Sequence, residues 1–189
     1  MAIKMAYFQN IRNKIGEYFL LKQQGTYPRN RAIMNIDSAN TIGILYCANN
    51  PVEVELMKTH VHTLRDMKKE VRSLGYLNVR EVPLGLNGSV KHQYFSLKEL
   101  NLYGKPSSQF IHSFVNEEFD ILFDFGVPSQ LPILFLTSMS KAKCKVGRYL
   151  EKYAELYDVM IEVDENKKLD YVIATTHDYM MLLNKKNIS

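Results

Sequence analysis

Short apolar runs recur along residues 41–163, and between them lie stretches in which apolar residues are spaced three or four positions apart. The first run, Thr41-Ile-Gly-Ile-Leu-Tyr-Cys47, has the composition of a strand that is covered on both faces. The next stretch places apolar residues at helical spacing from Val54 to Leu74. Strands that alternate with helices build a parallel sheet with helices on both sides. We therefore predict an α/β fold, a Rossmann-like three-layer sandwich with a mostly parallel sheet of five or six strands.

The same patterns give approximate bounds for each element of the body. We interpret Gly75 as the stop of the first body helix, since glycine commonly follows the last helical residue. The predicted strands cover residues 41–47, 76–82, 92–97, 119–125, 143–148 and 158–163. The predicted helices cover residues 51–74, about 107–118, about 130–140 and about 168–185, and one helical turn is expected within 151–157.

The chain is most basic at its beginning. Residues 1–31 contain six Lys and Arg residues against one acid, Glu17, a net charge of +5, whereas residues 32–189 hold 18 bases and 19 acids, a net charge of −1. Residues 3–24 also carry an apolar stripe at helical spacing, and Gly25 and Pro28 end that pattern. We therefore divide the chain into a basic N-terminal amphipathic helix with its linker, residues 1–31, and a single α/β domain, residues 32–189.

A basic helix of this kind has three possible partners. It can contact an anionic membrane surface or a nucleic acid, it can pack on the body, or it can pack on a second copy to form a homodimer. In the first case the contacts with the anionic surface would come from Lys4, Arg12, Lys14, Lys22, Arg29 and Arg31. No apolar run reaches the roughly 20 residues that span a bilayer, and the beginning lacks the pattern of a signal peptide. We expect a cytoplasmic protein, which would be peripheral to the inner face of the membrane where the helix contacts anionic lipid.

Polar residues at the predicted strand ends are the candidates for a ligand site. In doubly wound sheets ligands bind beside the carboxyl ends of the strands where the strand order reverses, here between the first and fourth strands. The candidates there are Asn49, Asn50, Asp124, Ser129, Gln130 and Arg148. The amides and the carboxylate suit hydroxyl groups, and the guanidinium suits an anion. The alternative is that these residues only cap helices and brace loops.

Several sequence motifs that would identify a cofactor are missing. The first strand is not followed by GxGxxG, and no GxxxxGK[ST] occurs, which excludes a P-loop NTPase. The two cysteines, Cys47 and Cys144, lie in apolar strands and form no metal-binding motif. We predict no cofactor and no metal, and we interpret the cysteines as small buried side chains.

Several segments resemble those of an uncharacterised bacterial protein family of unknown function. They are Leu-Asn-Leu-Tyr-Gly-Lys-Pro at 100–106, Asn-Glu-Glu-Phe-Asp-Ile-Leu-Phe-Asp at 116–124 and Ser-Lys-Ala-Lys-Cys-Lys-Val-Gly-Arg-Tyr at 140–149. Residues 117–149 alone are also similar to part of the N-terminal Rossmann-like half of heptosyltransferase-type glycosyltransferases. That half contributes to acceptor binding in those enzymes, and this chain is too short to contain their second half.

Two hypotheses for the function follow from these observations. The first is a non-enzymatic binding or interaction module that its basic N-terminal helix tethers to an anionic partner. The second is an enzyme that acts on a small sugar or nucleotide at the strand-end crevice and is related to half of a glycosyltransferase.

Overall fold

A computed structural model of the chain describes residues 2–86, 88–127, 130–164 and 166–183, with side chains from residue 11 onward. Five helices occur in this part of the chain: α1 (Ala2–Lys22), α2 (Pro51–Asp66), α3 (Gln109–Asn116), α4 (Leu131–Met139) and α5 (Leu169–Leu182). Two 3₁₀ helices, Leu97–Glu99 and Glu151–Leu156, lie in the connections.

The centre of the fold is one sheet of six parallel strands. They are β1 (Thr41–Cys47), β2 (Glu70–Tyr76), β3 (His92–Phe95), β4 (Ile121–Phe125), β5 (Cys144–Arg148) and β6 (Val159–Ile161). Their order across the sheet is β3-β2-β1-β4-β5-β6, with every neighbouring pair parallel. The prediction of a three-layer α/β fold is confirmed, and this order is the one that doubly wound sheets use.

The second strand lies six residues earlier than the sequence pattern suggested. The helix predicted for residues 51–74 ends at Asp66, and Lys68 then reverses the chain in the left-handed region, at φ 64°. Val71 and Leu74 continued the helical spacing, but in β2 they face opposite sides of the sheet and pack in different clusters. Gly75 is not a helix stop; an added Cβ there would lie 2.9 Å from the Tyr46 ring, so glycine lets neighbouring strands pack closely.

Successive residues of each central strand face opposite layers, as the pleat of a strand requires. One layer contains α2 and α5, which cover Ile42, Ile44 and their counterparts in neighbouring strands. The other layer contains α3 and α4, which cover Leu45 and Cys47 on the opposite face of β1. Both cysteines are buried, as expected for small apolar side chains.

Helix α4 is unusual because all nine of its residues are buried. Its inner side packs on the sheet through Ile133 and Leu136. Its outer side packs with Leu20 of α1 and with Tyr153 and Leu156. Helix α1 is therefore a further layer outside α4 and shares a core with the body. None of the helices in the described part of the chain is long and apolar enough to span a bilayer.

Candidate functional site

The strand order reverses between β1 and β4, at the position that the sequence predicted for a ligand site. Two of the predicted residues there, Asn49 and Asn50, make hydrogen bonds within the protein. The Asn50 side chain caps α2 by accepting from the Val52 amide at 2.9 Å. The Asn49 side chain accepts from the Asn78 amide at 2.7 Å and so joins the segments that follow β1 and β2. Both amides stabilise the edge of the sheet.

Asp124, the predicted carboxylate, lies buried at the end of β4. It accepts hydrogen bonds from the Gly126 amide at 2.9 Å and from the Thr137 and Tyr157 hydroxyls, each at 2.8 Å. Burial raises the pKa of this carboxyl group, although the three donors act in the opposite direction. The carboxylate thus joins β4 to α4 and to the segment after β5.

Arg148, at the end of β5, is half-buried, and its Nε has no hydrogen-bond partner among the described residues. It lines two small cavities, of about 10 Å³ beside Asp124 and about 160 Å³ beside Cys47. Ser129, another of the predicted ligand residues, lies outside the described residues. The structure brings Asp124, Gln130 and Arg148 to one cavity, but that cavity measures only about 10 Å³, and Asn49 and Asn50 do not line it.

A larger cavity, which we call the α1 cleft, lies between α1 and the carboxyl ends of the central strands. Its volume is about 460 Å³. Its polar groups come from the inner face of α1, from the end of β2 and from the residue before α4. The lining residues are Arg12, Asn13, Lys14, Glu17, Tyr76, Asn78, Leu97, Leu100, Gly104, Gln130, Leu131, Pro132 and Tyr153. This cavity combines cations, amides and hydroxyls at the edge of the sheet where ligands bind in such folds.

Close packing of two backbones fixes the cleft. A Cβ at Gly16 would overlap the Tyr103 carbonyl oxygen and lie 2.6 Å from Leu131 Cδ2, so only glycine lets α1 approach this closely. One turn further along α1, Leu20 is completely buried against α4. These contacts hold Arg12 and Glu17, which both line the cleft, over the carboxyl edge.

Glu17 is the only acid of the described part of α1, and other side chains neutralise it. Its carboxylate pairs with the Lys152 ammonium at 2.7 Å and accepts a hydrogen bond from the Tyr153 hydroxyl. The hydrogen bond with Lys152 contributes most to a lowered pKa of Glu17, and Tyr153 adds to it. Arg12 and Lys14 are then the cations that the cleft can offer to a ligand.

The apolar stripe that the sequence placed on the first helix faces away from the body. Ile11, Ile15 and Tyr18 are 38%, 40% and 61% exposed, and Phe19 and Leu21 beside them are also exposed. Lys14 and Lys22 lie exposed among these residues. We call this surface the outer face of α1. The apolar and basic residues are mixed on it, rather than separated onto two sides of the helix.

The remaining basic residues of the N-terminal segment have different surroundings. The guanidinium of Arg29 is buried and contacts both carboxylate oxygens of Asp158 at 2.8 Å, and it also donates to the carbonyls of Ala142 and Lys143. It therefore has no free surface for an anionic partner. Arg31 is exposed, at 3.9 Å from the same carboxylate. The side chain of Lys4 lies outside the described residues.

The sequence patterns did not connect the N-terminal helix to the strand-end site. Asn78 lay inside a predicted strand, and Gln130 was one of several polar residues after β4. A signal was nevertheless present in α4, because a helix that is apolar on all sides must be covered on all sides. The helix that covers it also supplies the upper wall of the cleft.

A model of a family of unknown function, DUF6913, matches residues 12–183. The chain belongs to DUF6913. The DUF6913 match includes all six strands and the part of α1 that packs on α4, and it confirms the resemblance to an uncharacterised family. No curated protein and no solved structure matches the chain. The similarity of residues 117–149 to heptosyltransferase halves therefore stays a prediction. Within the described residues, no three His, Cys, Asp or Glu side chains form a group that would hold a metal.

Proposed function

We propose that the protein is an interaction module that docks on an anionic lipid surface through the outer face of α1. The observation that carries this proposal is the exposed set of apolar side chains with lysines among them. Ile11, Ile15 and Tyr18 supply surface that enters the boundary between headgroups and acyl chains. Lys14 and Lys22 have flexible stems that lie along apolar surface while their ammonium groups reach the phosphates.

The charges on this face favour lipid over a second copy of the chain. Glu17 is the only acid in the described part of α1, and it is engaged with Lys152 at the cleft. Two outer faces packed together would place lysines against lysines with no carboxylate between them. An anionic bilayer offers the opposite charge to all of these lysines at once.

The apolar residues favour lipid over nucleic acid. Single-stranded nucleic acids bind through aromatic stacking and cationic contacts with phosphate. Aliphatic side chains such as Ile11 and Ile15 gain little from a phosphate backbone, whereas a bilayer removes them from water. The lipids of the cytoplasmic leaflet supply negative charge, so the proposed location is the inner face of the membrane.

The enzyme hypothesis placed its site among Asn49, Asn50, Asp124 and Arg148. The first three make hydrogen bonds within the protein, and the cavities beside Arg148 are small. We therefore favour the module.

Sedimentation with vesicles tests the proposal. The protein should sediment with phosphatidylcholine vesicles that contain phosphatidylglycerol, less so at high salt, and much less with phosphatidylcholine alone. Each lysine near the surface contributes about 1 kcal/mol, so Lys14→Gln/Lys22→Gln should weaken binding roughly 30-fold. Ile15→Ser/Tyr18→Ser should weaken binding even where the charge is unchanged.

Lys68→Gln/Lys91→Gln is the matched control, because it removes the same charge at the opposite edge of the sheet, before β2 and β3. This variant should sediment like the wild type. If the control and the α1 lysine variant lost vesicle binding equally, net charge alone would explain the loss, and docking through α1 would be contradicted. Binding to RNA without binding to vesicles would overturn the proposal and make nucleic acid the partner of α1. Self-association that Ile15→Ser/Tyr18→Ser abolishes would overturn it in favour of a second copy of the chain.

A further inference from the structure

We infer that the α1 cleft is a binding site for a small, hydroxyl-bearing anion of the sugar phosphate class. The inner face of α1 forms this site, which does not depend on the docking of the outer face. Lys14 is the one residue that both surfaces share. The cleft encloses about 460 Å³, within the range of roughly 300–1,000 Å³ that is usual for small-molecule sites.

The charge of the cleft indicates an anion. Arg12 and Lys14 line it, and the one acid among its lining residues, Glu17, is paired with Lys152 outside the cavity. The Nε of Arg12 is buried and has no hydrogen-bond partner among the described residues. A guanidinium binds phosphate with paired hydrogen bonds in a fixed geometry, which would satisfy this buried donor.

The other polar groups indicate hydroxyls on the ligand. The side chains of Asn13, Asn78 and Gln130 reach the cleft from α1, from the segment after β2 and from the start of α4. An amide both donates and accepts hydrogen bonds, as a sugar hydroxyl does. Three amides that approach from different sides can therefore bind several hydroxyls of one small molecule.

The aromatic residues favour a sugar over a nucleobase. Tyr76 and Tyr153 line the cleft but are only 3% and 5% exposed, so their rings are packed within the protein. Their hydroxyls also have partners within the protein, since Tyr76 donates to Asn78 Oδ1 at 3.3 Å and Tyr153 donates to Glu17. A base would need an exposed ring face for stacking, whereas a sugar needs only polar groups and the apolar floor that Leu97 and Leu100 provide.

Titration calorimetry with the full chain tests the inference, with glucose 6-phosphate, ribose 5-phosphate and glycerol 3-phosphate as probes. At least one should bind with a dissociation constant in the micromolar to millimolar range. Glucose and inorganic phosphate should each bind at least about 10-fold more weakly than that probe, because each offers only half of the contacts. Failure of all three probes at millimolar concentration, or equal binding of inorganic phosphate, would overturn the inference.

Substitution of Arg12 locates the binding. Arg12→Gln should weaken the best probe about 10- to 100-fold, since it removes a charge-assisted pair of hydrogen bonds. Arg80→Gln is the matched control: it removes the same charge from an exposed residue beside the carboxyl edge that is not part of the cleft lining. Equal affinity in Arg12→Gln and wild type would contradict a site in the cleft.

Two further measurements separate this site from lipid docking and from misfolding. Arg12→Gln without ligand should melt as the wild type does, and it should still sediment with anionic vesicles. Ile15→Ser/Tyr18→Ser should bind the sugar phosphate normally. If Arg12→Gln lowered the melting temperature, Gln130→Leu would serve in its place. This variant removes a lining amide whose side chain makes no hydrogen bond with the other described residues. Wild-type affinity of Gln130→Leu for the sugar phosphate would then contradict the inference.

Discussion

At the scale of single residues, the clearest consequence of the fold is a histidine that burial keeps neutral. His60 of α2 is buried, with its ring edge-on to Phe125 and 6.4 Å from the ring of His177 on α5. Its Nε2 has no hydrogen-bond partner among the described residues. Burial, and then the neighbouring His177, lower the pKa of His60 to about 4.

This shift predicts acid sensitivity in a defined range. The unfolded chain binds a proton at His60 below its ordinary pKa of about 6.5, whereas the folded chain does so only near pH 4. Protonation of His60 therefore leaves the free energy of unfolding unchanged above pH 6.5. As the pH drops from 6.5 toward 4, that free energy decreases by about 3 kcal/mol at most. Urea unfolding at steps between pH 7 and pH 4.5 measures this loss.

His60→Leu is the test variant, because leucine has a similar volume and removes a buried polar atom that lacks a partner. Its free energy of unfolding should fall less over the same pH range than that of the wild type. If the variant keeps the full wild-type loss, the acid sensitivity belongs to other groups and the assignment to His60 is wrong.

The residue types of the strand-end site were visible in the sequence, but their partners were not. Asn50 before Pro51 reads equally well as a helix cap or as a ligand residue, and the structure shows the cap. Asp124 was visible as a carboxylate at the end of a strand. Its donors, Thr137 and Tyr157, are 13 and 33 residues away, so only tertiary structure reveals that it is satisfied.

At the scale of elements, the position of α1 rests on one glycine. Within an isolated helix, Gly16→Ala would add roughly 1 kcal/mol of stability. In this protein the new Cβ would overlap the Tyr103 carbonyl oxygen, which belongs to the backbone and cannot rotate away. Overpacking of this kind costs typically 1–3 kcal/mol, so it outweighs or cancels the helical gain.

We therefore expect Gly16→Ala to bring no gain in stability and to lower the free energy of unfolding by up to about 2 kcal/mol. Denaturant unfolding measures the change, and Lys14→Ala is the control on the same helix, because the Lys14 side chain is exposed. The control should stay within about 0.5 kcal/mol of the wild type. A more stable Gly16→Ala protein would show that α1 does not pack on Tyr103 and Leu131 in solution.

The bounds of helices and strands were predictable where a capping residue or proline marks them. They were not predictable where the spacing of apolar residues was the only signal. Asn50-Pro51 marked the start of α2, which the structure confirms. The end of α2 carried no such mark, because Val71 and Leu74 fit a helical stripe as well as a strand covered on both faces. The parallel pairing of β2 with β1 and β3 decides between the two, and that pairing is not local in sequence.

At the scale of the whole molecule, the N-terminal segment and the α/β body are joined by more than a linker. Leu20 completes the outer cover of α4, together with Tyr153 and Leu156. Arg29 neutralises Asp158, a carboxylate that is only 7% exposed and also accepts from the Lys145 amide. The charge imbalance of the sequence divides the chain into a basic helix and a near-neutral body, and in the structure buried contacts join these two parts.

A chain that begins at residue 32 should therefore fold poorly. Loss of Arg29 leaves Asp158 buried without its cation, a change that costs roughly 3–5 kcal/mol. Loss of Leu20 exposes the apolar outer side of α4, which lowers the free energy of unfolding by about a further 2 kcal/mol. Together these losses consume much of the roughly 5–15 kcal/mol by which a domain is stable.

Urea unfolding of residues 32–189, followed by circular dichroism, measures the free energy of unfolding and checks this prediction. Binding of an apolar dye to the same fragment reports exposure of the outer side of α4. Arg29→Met in the full chain separates the two losses, since it removes the cation and leaves Leu20 in place. It should account for more than half of the total loss, because the unpaired charge is the larger of the two costs. A truncated protein as stable as the full chain would instead show that α1 is a detachable tether, and the α1 cleft, which needs α1 as its upper wall, would then not persist in solution.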